Sequence, residues 1–307
     1  MNVKLAVLLK LAAVATFVAM QALIKATDGR VPPGEVVFFR SLFAFPVIIV
    51  WLAWRRELRV GLKTDNLMGH VWRGMIGTLS MGLGFAGLTM LPLPEVTALG
   101  YAAPILVVVF AAMFLGEEVR LFRLSAVALG MVGVLIVLSP RLTTLTAGQV
   151  EAVQALGAAL VLMSAIFAAL AQIFIRKLVM RERAATVVFY FTLSSMLLAL
   201  LTLPFGWVVP SGMDAALLVG AGTLGGIGQG LATSAYRFAP ASVVAPFDYA
   251  SMLLAIAIGY VIFAEVPTRT TLGGAALIVV AGIVIIWREH QLGVERDRAR
   301  RAMPPQG

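Results

Sequence analysis

A few acid–base groups and amides stand inside stretches of this chain that are otherwise apolar. Asp248 lies about two turns into the segment 241–263, between Phe247 and Tyr249, and Ser251 follows it on the same helical face. Arg40 lies inside 34–54, and Lys10 inside the first apolar stretch, 4–24. Placing a charge at the centre of a bilayer costs about 2.5–3.5 kcal/mol even on lenient scales, so such groups face a cavity or a partner. Asp248 suits two roles: a carboxylate that meets a cationic substrate group or carries a proton, or a partner for Arg40 or a helix terminus. Arg40 reads as a structural ion pair or helix contact. Lys10 is close enough to a segment end to snorkel to the interface, although it shares a face with Val14, Phe17 and Gln21.

The amides form a second group. Met20-Gln21-Ala22-Leu23-Ile24-Lys25 returns as Ala171-Gln172-Ile173-Phe174-Ile175-Arg176. Neutral amides can be buried when they find partners, so Gln21 and Gln172 are placed either to bind a substrate from two sides or to bond one helix to another. Two polar stripes at helical spacing suit a cavity wall: Thr97, Tyr101 and Pro104, and Gln229, Thr233 and Tyr236. Pro104 breaks the backbone ladder and permits a hinge. Aromatic residues, Tyr249 among them, could add a stacking surface. Catalysis is poorly served. There is no cysteine, and His70 and His290 stand at segment ends, where they read as interfacial groups. No clustered nucleophile and base, metal set or cofactor motif is present.

These side chains must be positioned by membrane-spanning helices. Of the 307 residues 61% are hydrophobic and 13% charged, with a mean hydropathy of +0.97, whereas soluble domains carry about 25% charge. A span needs about 20 apolar residues. Ten segments qualify: 4–24, 34–54, 70–90, 94–115, 121–139, 152–176, 185–204, 214–237, 241–263 and 270–288. The net charge of +9 reads as a topology signal and not as a nucleic-acid surface. Arg55, Arg56, Arg59, Lys63, Arg176, Lys177, Arg181 and the tail arginines fall on one side, against only Lys25, Arg30, Arg141 and Arg269 on the other. Positive charge marks the cytoplasmic side, so both termini are expected there. Five spans per half is an odd number, so the second half enters inverted. The fold class is thus an all-α polytopic membrane protein with ten transmembrane helices in two inverted five-helix repeats, 1–146 and 147–288. A basic cytoplasmic tail, 289–307, rests on lipid. Gly130, Gly133, Gly273, Gly274 and Gly282 allow close helix packing within one chain or between two copies in a homodimer.

Several stretches resemble one family. They are Phe38-Phe39-Arg40-Ser41; Pro92-Leu93-Pro94-Glu95-Val96-Thr97-Ala98-Leu99 running into Ala103-Pro104; Gly116-Glu117-Glu118; Tyr236-Arg237-Phe238-Ala239-Pro240 through Pro246; and Asp248-Tyr249, then Gly259-Tyr260 up to Glu265. Together they resemble the drug/metabolite transporter superfamily, in its EamA-type branch. The resemblance implies a multi-pass permease of a bacterial-type inner membrane, with a central cavity lined by the first, third, fourth, sixth, eighth and ninth spans. It implies a small-molecule substrate moved by secondary-active or facilitative transport, foremost the export of amino acids or related compounds. Riboflavin or other vitamin uptake is the alternative, and a non-transporting membrane subunit is the reading from another class. On the transport reading, the cavity candidates are Gln21, Gln172, Tyr101, Gln229, Thr233, Asp248, Tyr249 and Ser251. Asp248 is then the candidate for proton coupling.

Overall fold

In the computed structural model the described residues are 3–287, apart from 55, 57, 59–61, 116–120, 143–148, 180, 239–246, 249, 282 and 285–286. The chain folds as a bundle of helices, with no strand among the described residues. In order these are α1 (Val3–Lys25), α2 (Pro33–Trp54), α3 (Leu67–Met90), α4 (Leu93–Gly100), α5 (Ala102–Leu115), α6 (Leu121–Leu142), α7 (Gln149–Val179), α8 (Ala184–Leu200), α9 (Gly212–Phe238), α10 (Ala250–Phe263) and α11 (Arg269–Ala281). Each overlaps a segment expected from hydropathy. The motif residues Gly116-Glu117-Glu118, the stretch from Ala239 to Pro246, Tyr249 and the tail lie outside the described residues.

One expected span is interrupted. The fourth, 94–115, divides into α4 and α5 at Tyr101, three residues before Pro104. Proline removes the bond to the carbonyl four residues back and crowds it, and for Pro104 that carbonyl belongs to Gly100. Of the ninth, 241–263, the described residues give a short turn at Phe247 and Asp248 and α10 from Ala250.

Lipid offers no hydrophobic force between helices, so small residues and polar bonds hold the bundle. On α9, a side chain at Gly226 would stand 3.1 Å from the Cα and carbonyl oxygen of Ala44, so glycine is what allows α9 to reach the α2 backbone. On α3 and α7, Ser80 Oγ donates to the Ser164 carbonyl at 2.9 Å while Ser164 Oγ donates to that of Ser80 at 2.7 Å. Gly133 and Gly274 bring α6 and α11 together within the chain, whereas Gly273 meets no neighbour within 4 Å.

The two ends of the bundle are tied by polar contacts. At the end where α1 finishes, Lys25 Nζ pairs with Glu265 Oε1 at 2.9 Å and donates to the Leu91 carbonyl at 2.7 Å. Glu265 Oε2 in turn accepts the Leu93 N–H at 2.8 Å, satisfying a backbone donor at the start of α4. Arg30 pairs with Asp214 at 2.8 Å, and Val208 N–H donates to Glu35 at 2.9 Å. At the opposite end Glu182 accepts from Thr64 Oγ1 at 2.6 Å and bonds His70 Nε2 at 2.7 Å. His70 is thus a buried brace, 1% exposed and stacked on Tyr190, and not the interfacial group expected from its place at a segment end.

Burial alone would raise the Glu182 carboxyl, but hydrogen bonds from Thr64 and His70, with the charge of the imidazole, hold it below the ordinary carboxylate range. A carboxyl lowered on folding stabilises the native state at pH values above its unfolded pKa and loses that effect as pH falls through the folded value. Wild type is therefore expected to melt above Glu182→Gln at neutral pH. The difference should shrink only below about pH 4.3, as followed by thermal unfolding of the purified protein across pH. A difference that stays constant through the acid range would remove this role from Glu182.

Candidate functional site

A cavity of about 440 Å³ lies in the middle of the bundle, within the size range of small-molecule sites. Its walls come from α1, α3, α4 with the start of α5, α7 and α9, and from the turn into α10. Those elements correspond to the six spans expected to line it. Phe191 of α8 adds a seventh. Toward the end where α1 begins, the lining includes Lys10, Ile175, Thr233 and Asp248; toward the other end it reaches Leu88 and Val96. Beyond Leu88 the fully buried Leu91 and Leu93 and the Lys25–Glu265 cluster close the bundle.

The expected cavity residues are largely brought together. Gln21 on α1 and Gln172 on α7 both line the space, as do Gln229 and Thr233 on α9, Tyr101 and Pro104 at the α4–α5 break, and Asp248 and Ser251. Tyr249 lies outside the described residues. The amides of Gln21, Gln172 and Gln229 make no hydrogen bond with any described residue. Ser251 Oγ donates to the Asp248 carbonyl at 2.5 Å and lies 2.8 Å from Tyr101 Oη. With the serine proton engaged, the phenol is the donor of that second bond. It ties the α4–α5 break to the start of α10.

The charges are arranged differently from expectation. Asp248 Oδ1 pairs with Lys10 Nζ at 2.7 Å, not with Arg40. Lys10 does not snorkel; its side chain is 7% exposed and stays in the bundle, while that of Asp248 is 28% exposed and open to the cavity. Arg40 stands outside the lining. It is 2% exposed, and its Nη2 donates to the Gly225 carbonyl at 3.3 Å. The helix-contact role expected for Arg40 is the one seen, and no carboxylate pairs with it among the described residues. The Leu93 N–H at the start of α4 is taken by Glu265, from the other half of the chain.

One charged cavity residue is not among the candidates read from the sequence. Arg73 of α3 is 4% exposed, lines the cavity and lies 3.8 Å above the centre of the Phe191 ring. A signal was available: an arginine one turn inside an apolar span, with Gly74 and Gly77 beside it. Small neighbours leave room for a large head group, as Arg40 finds against Gly225.

Residues 4–139 and 155–288 each match the model of the EamA-like transporter family. The pseudopaline exporter of Pseudomonas aeruginosa is 31% identical over 283 residues, covering 92% of this chain and 96% of that protein. The S-adenosylmethionine uptake transporter of Rickettsia felis is 27% identical, covering 85% of each chain. The riboflavin transporter of Rhizobium johnstonii is 29% identical, covering 84% of this chain and 82% of that one. A solved crystal structure matches with a TM-score of 0.68 at 21% identity, over 94% of this chain and 98% of its own, and so shares the fold.

Breaking a buried ion pair by removing one partner costs roughly 3–5 kcal/mol, whereas replacing both with apolar residues is often neutral. Because Asp248 is 28% exposed, Lys10→Met should fall at or below the low end of that range. Lys10→Met combined with Asp248→Leu should recover most of the loss. Thermal unfolding of the two single variants and the double variant checks this, and additive losses would mean the pair contributes no coupling.

Proposed function

The chain belongs to the EamA-like transporter family, and on that footing we propose that it is an inner-membrane permease, secondary-active or facilitative, exporting amino acids or related small amphipathic metabolites. Transport of small metabolites, and not enzyme chemistry, is what the named relatives have in common. The observation that carries the finer reading is the mixed character of the cavity. Amides from both halves, Gln21, Gln172 and Gln229, which bond no described residue, line the cavity together with an ion pair, Lys10–Asp248, and with Phe17, Phe85 and Met81. Such a site suits a substrate that has both charged and apolar parts. Export is supported by the named exporter among the relatives.

Alternating access accounts for the two unlike ends. The bundle is sealed beyond Leu88 by the Lys25–Glu265 cluster, and the cavity extends the other way toward Ile175 and Thr233. By the distribution of lysine and arginine the sealed end faces away from the cytoplasm, so the cavity reaches toward the side from which an exporter loads. The two separate family matches, one in each half, support a duplicated chain whose second half is inverted. The break at Tyr101 and Pro104 is the hinge in this reading. Asp248 is the group through which a proton would couple, because protonation would release Lys10.

A flat aromatic solute such as a flavin is the second reading. It is favoured by the rings of Phe17, Phe85, Tyr101 and Phe191 on the walls.

Counterflow into proteoliposomes, with a labelled panel of amino acids, S-adenosylmethionine and riboflavin, separates the readings. Saturable accumulation of an amino-acid-type solute is expected, with the KM raised about tenfold in Gln21→Ala and in Gln172→Ala, the loss of roughly one hydrogen bond to a charged group. Riboflavin flux alone would favour the second reading, and unchanged KM in both variants would return the glutamines to a structural part.

A further inference from the structure

Arg73 is a buried cation without a counter-charge among the described residues. Its Nε and Nη1 have no hydrogen-bond partner, and the ion pairs among the described residues engage Lys10, Lys25, Arg30 and His70 but not Arg73. Arg40, which does not line the cavity, lies 5.9 Å from the centre of the same Phe191 ring and adds a second positive charge to the neighbourhood. The negative face of the ring compensates a guanidinium only in part, and a desolvated charge left unpaired is among the most expensive features a fold can carry.

The surroundings hold this head group in a slot. A side chain at Gly77 would collide with Arg73 Nη1 and stand 2.8 Å from Phe191 Cε2, so the missing Cβ is what lets the guanidinium lie on the ring. A planar fork fixed in this way presents donors to a carboxylate. The other charges on the wall, Lys10 and Asp248, neutralise one another at 2.7 Å. The surplus charge of the cavity is therefore positive and sits at Arg73.

We propose that Arg73, seated on Phe191 in the space left by Gly77, is the binding site for a carboxylate of the transported solute. This rests on the transporter reading of the cavity and narrows it to carboxylate-bearing solutes. An ammonium on the same solute then meets the part-exposed Asp248, so that a zwitterion is held at both ends.

The test uses 3-phenylpropionate and its uncharged match, 3-phenylpropionamide, as probes of the full-length protein in nanodiscs. Binding is read by calorimetry and by the shift in melting temperature. The expected result is binding of the carboxylate at least tenfold tighter than of the amide, with that preference lost in Arg73→Gln and partly kept in Arg73→Lys. Because Arg73→Gln removes a packed side chain, Gly77→Ala provides a second arm. It keeps the charge, crowds the slot, and should weaken the carboxylate while leaving the amide unchanged. Equal binding of the two probes, binding of neither, or an undiminished preference in both Arg73→Gln and Gly77→Ala would overturn the assignment. Carboxylate binding that depends on Arg73 in a protein that shows no counterflow would keep the site and remove the transport reading. Counterflow with no role for Arg73 would do the reverse.

Discussion

Nothing in the hydrocarbon around this bundle can accept a hydrogen bond or screen a charge, so every polar group inside must be satisfied by another part of the chain or by what enters the cavity. That constraint explains the long-range contacts. Lys10 reaches Asp248, Lys25 reaches Glu265, and the serines of α3 and α7 exchange bonds with each other's backbone. In each case one partner comes from the first half of the chain and the other from the second. Glycines allow the approach, as where α9 lies on the backbone of α2 at Ala44. Polar atoms left over among the described residues include Arg40 Nε and Nη1 behind the wall, and on the cavity wall itself Arg73 and the amides of Gln21, Gln172 and Gln229.

Hydropathy and turn residues were enough to locate the spans, because a run of twenty apolar residues has few other uses. The stripes at helical spacing also led to the cavity, since Gln21, Tyr101, Gln172, Gln229, Thr233 and Ser251 share it. Spacing along one helix says which residues share a face; it says nothing of which residue on a distant helix that face meets. Lys10 could therefore be seen to share a face with Gln21, and Asp248 to need a partner, but their pairing requires the α1 packing against the start of α10. Arg73 was missed for a related reason. An arginine one turn inside a span reads as a topology charge until Gly77 and Phe191 are seen to hold its head group inward. The start of α4 shows the same limit, because the carboxylate that binds the Leu93 N–H, Glu265, comes from 172 residues away.

The α4–α5 break joins the two kinds of information. Pro104 predicted a weak point in the fourth span, and the chain breaks where the lost bond to Gly100 would have been. What the break does depends on the tertiary fold, through Tyr101 Oη bonding Ser251 just after Asp248. A shift of the α10 turn would act on the break directly, and the ion pair with Lys10 holds that same turn.

α1 and the segment around α10 are fastened twice, by Lys10–Asp248 near one end and Lys25–Glu265 near the other, about 22 Å apart along α1 at 1.5 Å per residue. Opposite them α3 and α7 are fastened by the reciprocal serine bonds. The cavity lies between these two pairs, and each pair takes one helix from each half of the chain. Opening the sealed end by prying α1 from α10 would break the Lys25–Glu265 pair and leave both of its charges without their partner. Moving α1 and α10 as one body against α3 and α7 keeps both ion pairs and changes instead the distance between Asp248 on one body and Arg73 on the other. A solute that bridges those two charges would bind most tightly at one separation, and that differential affinity is what allows a ligand to shift a conformational equilibrium.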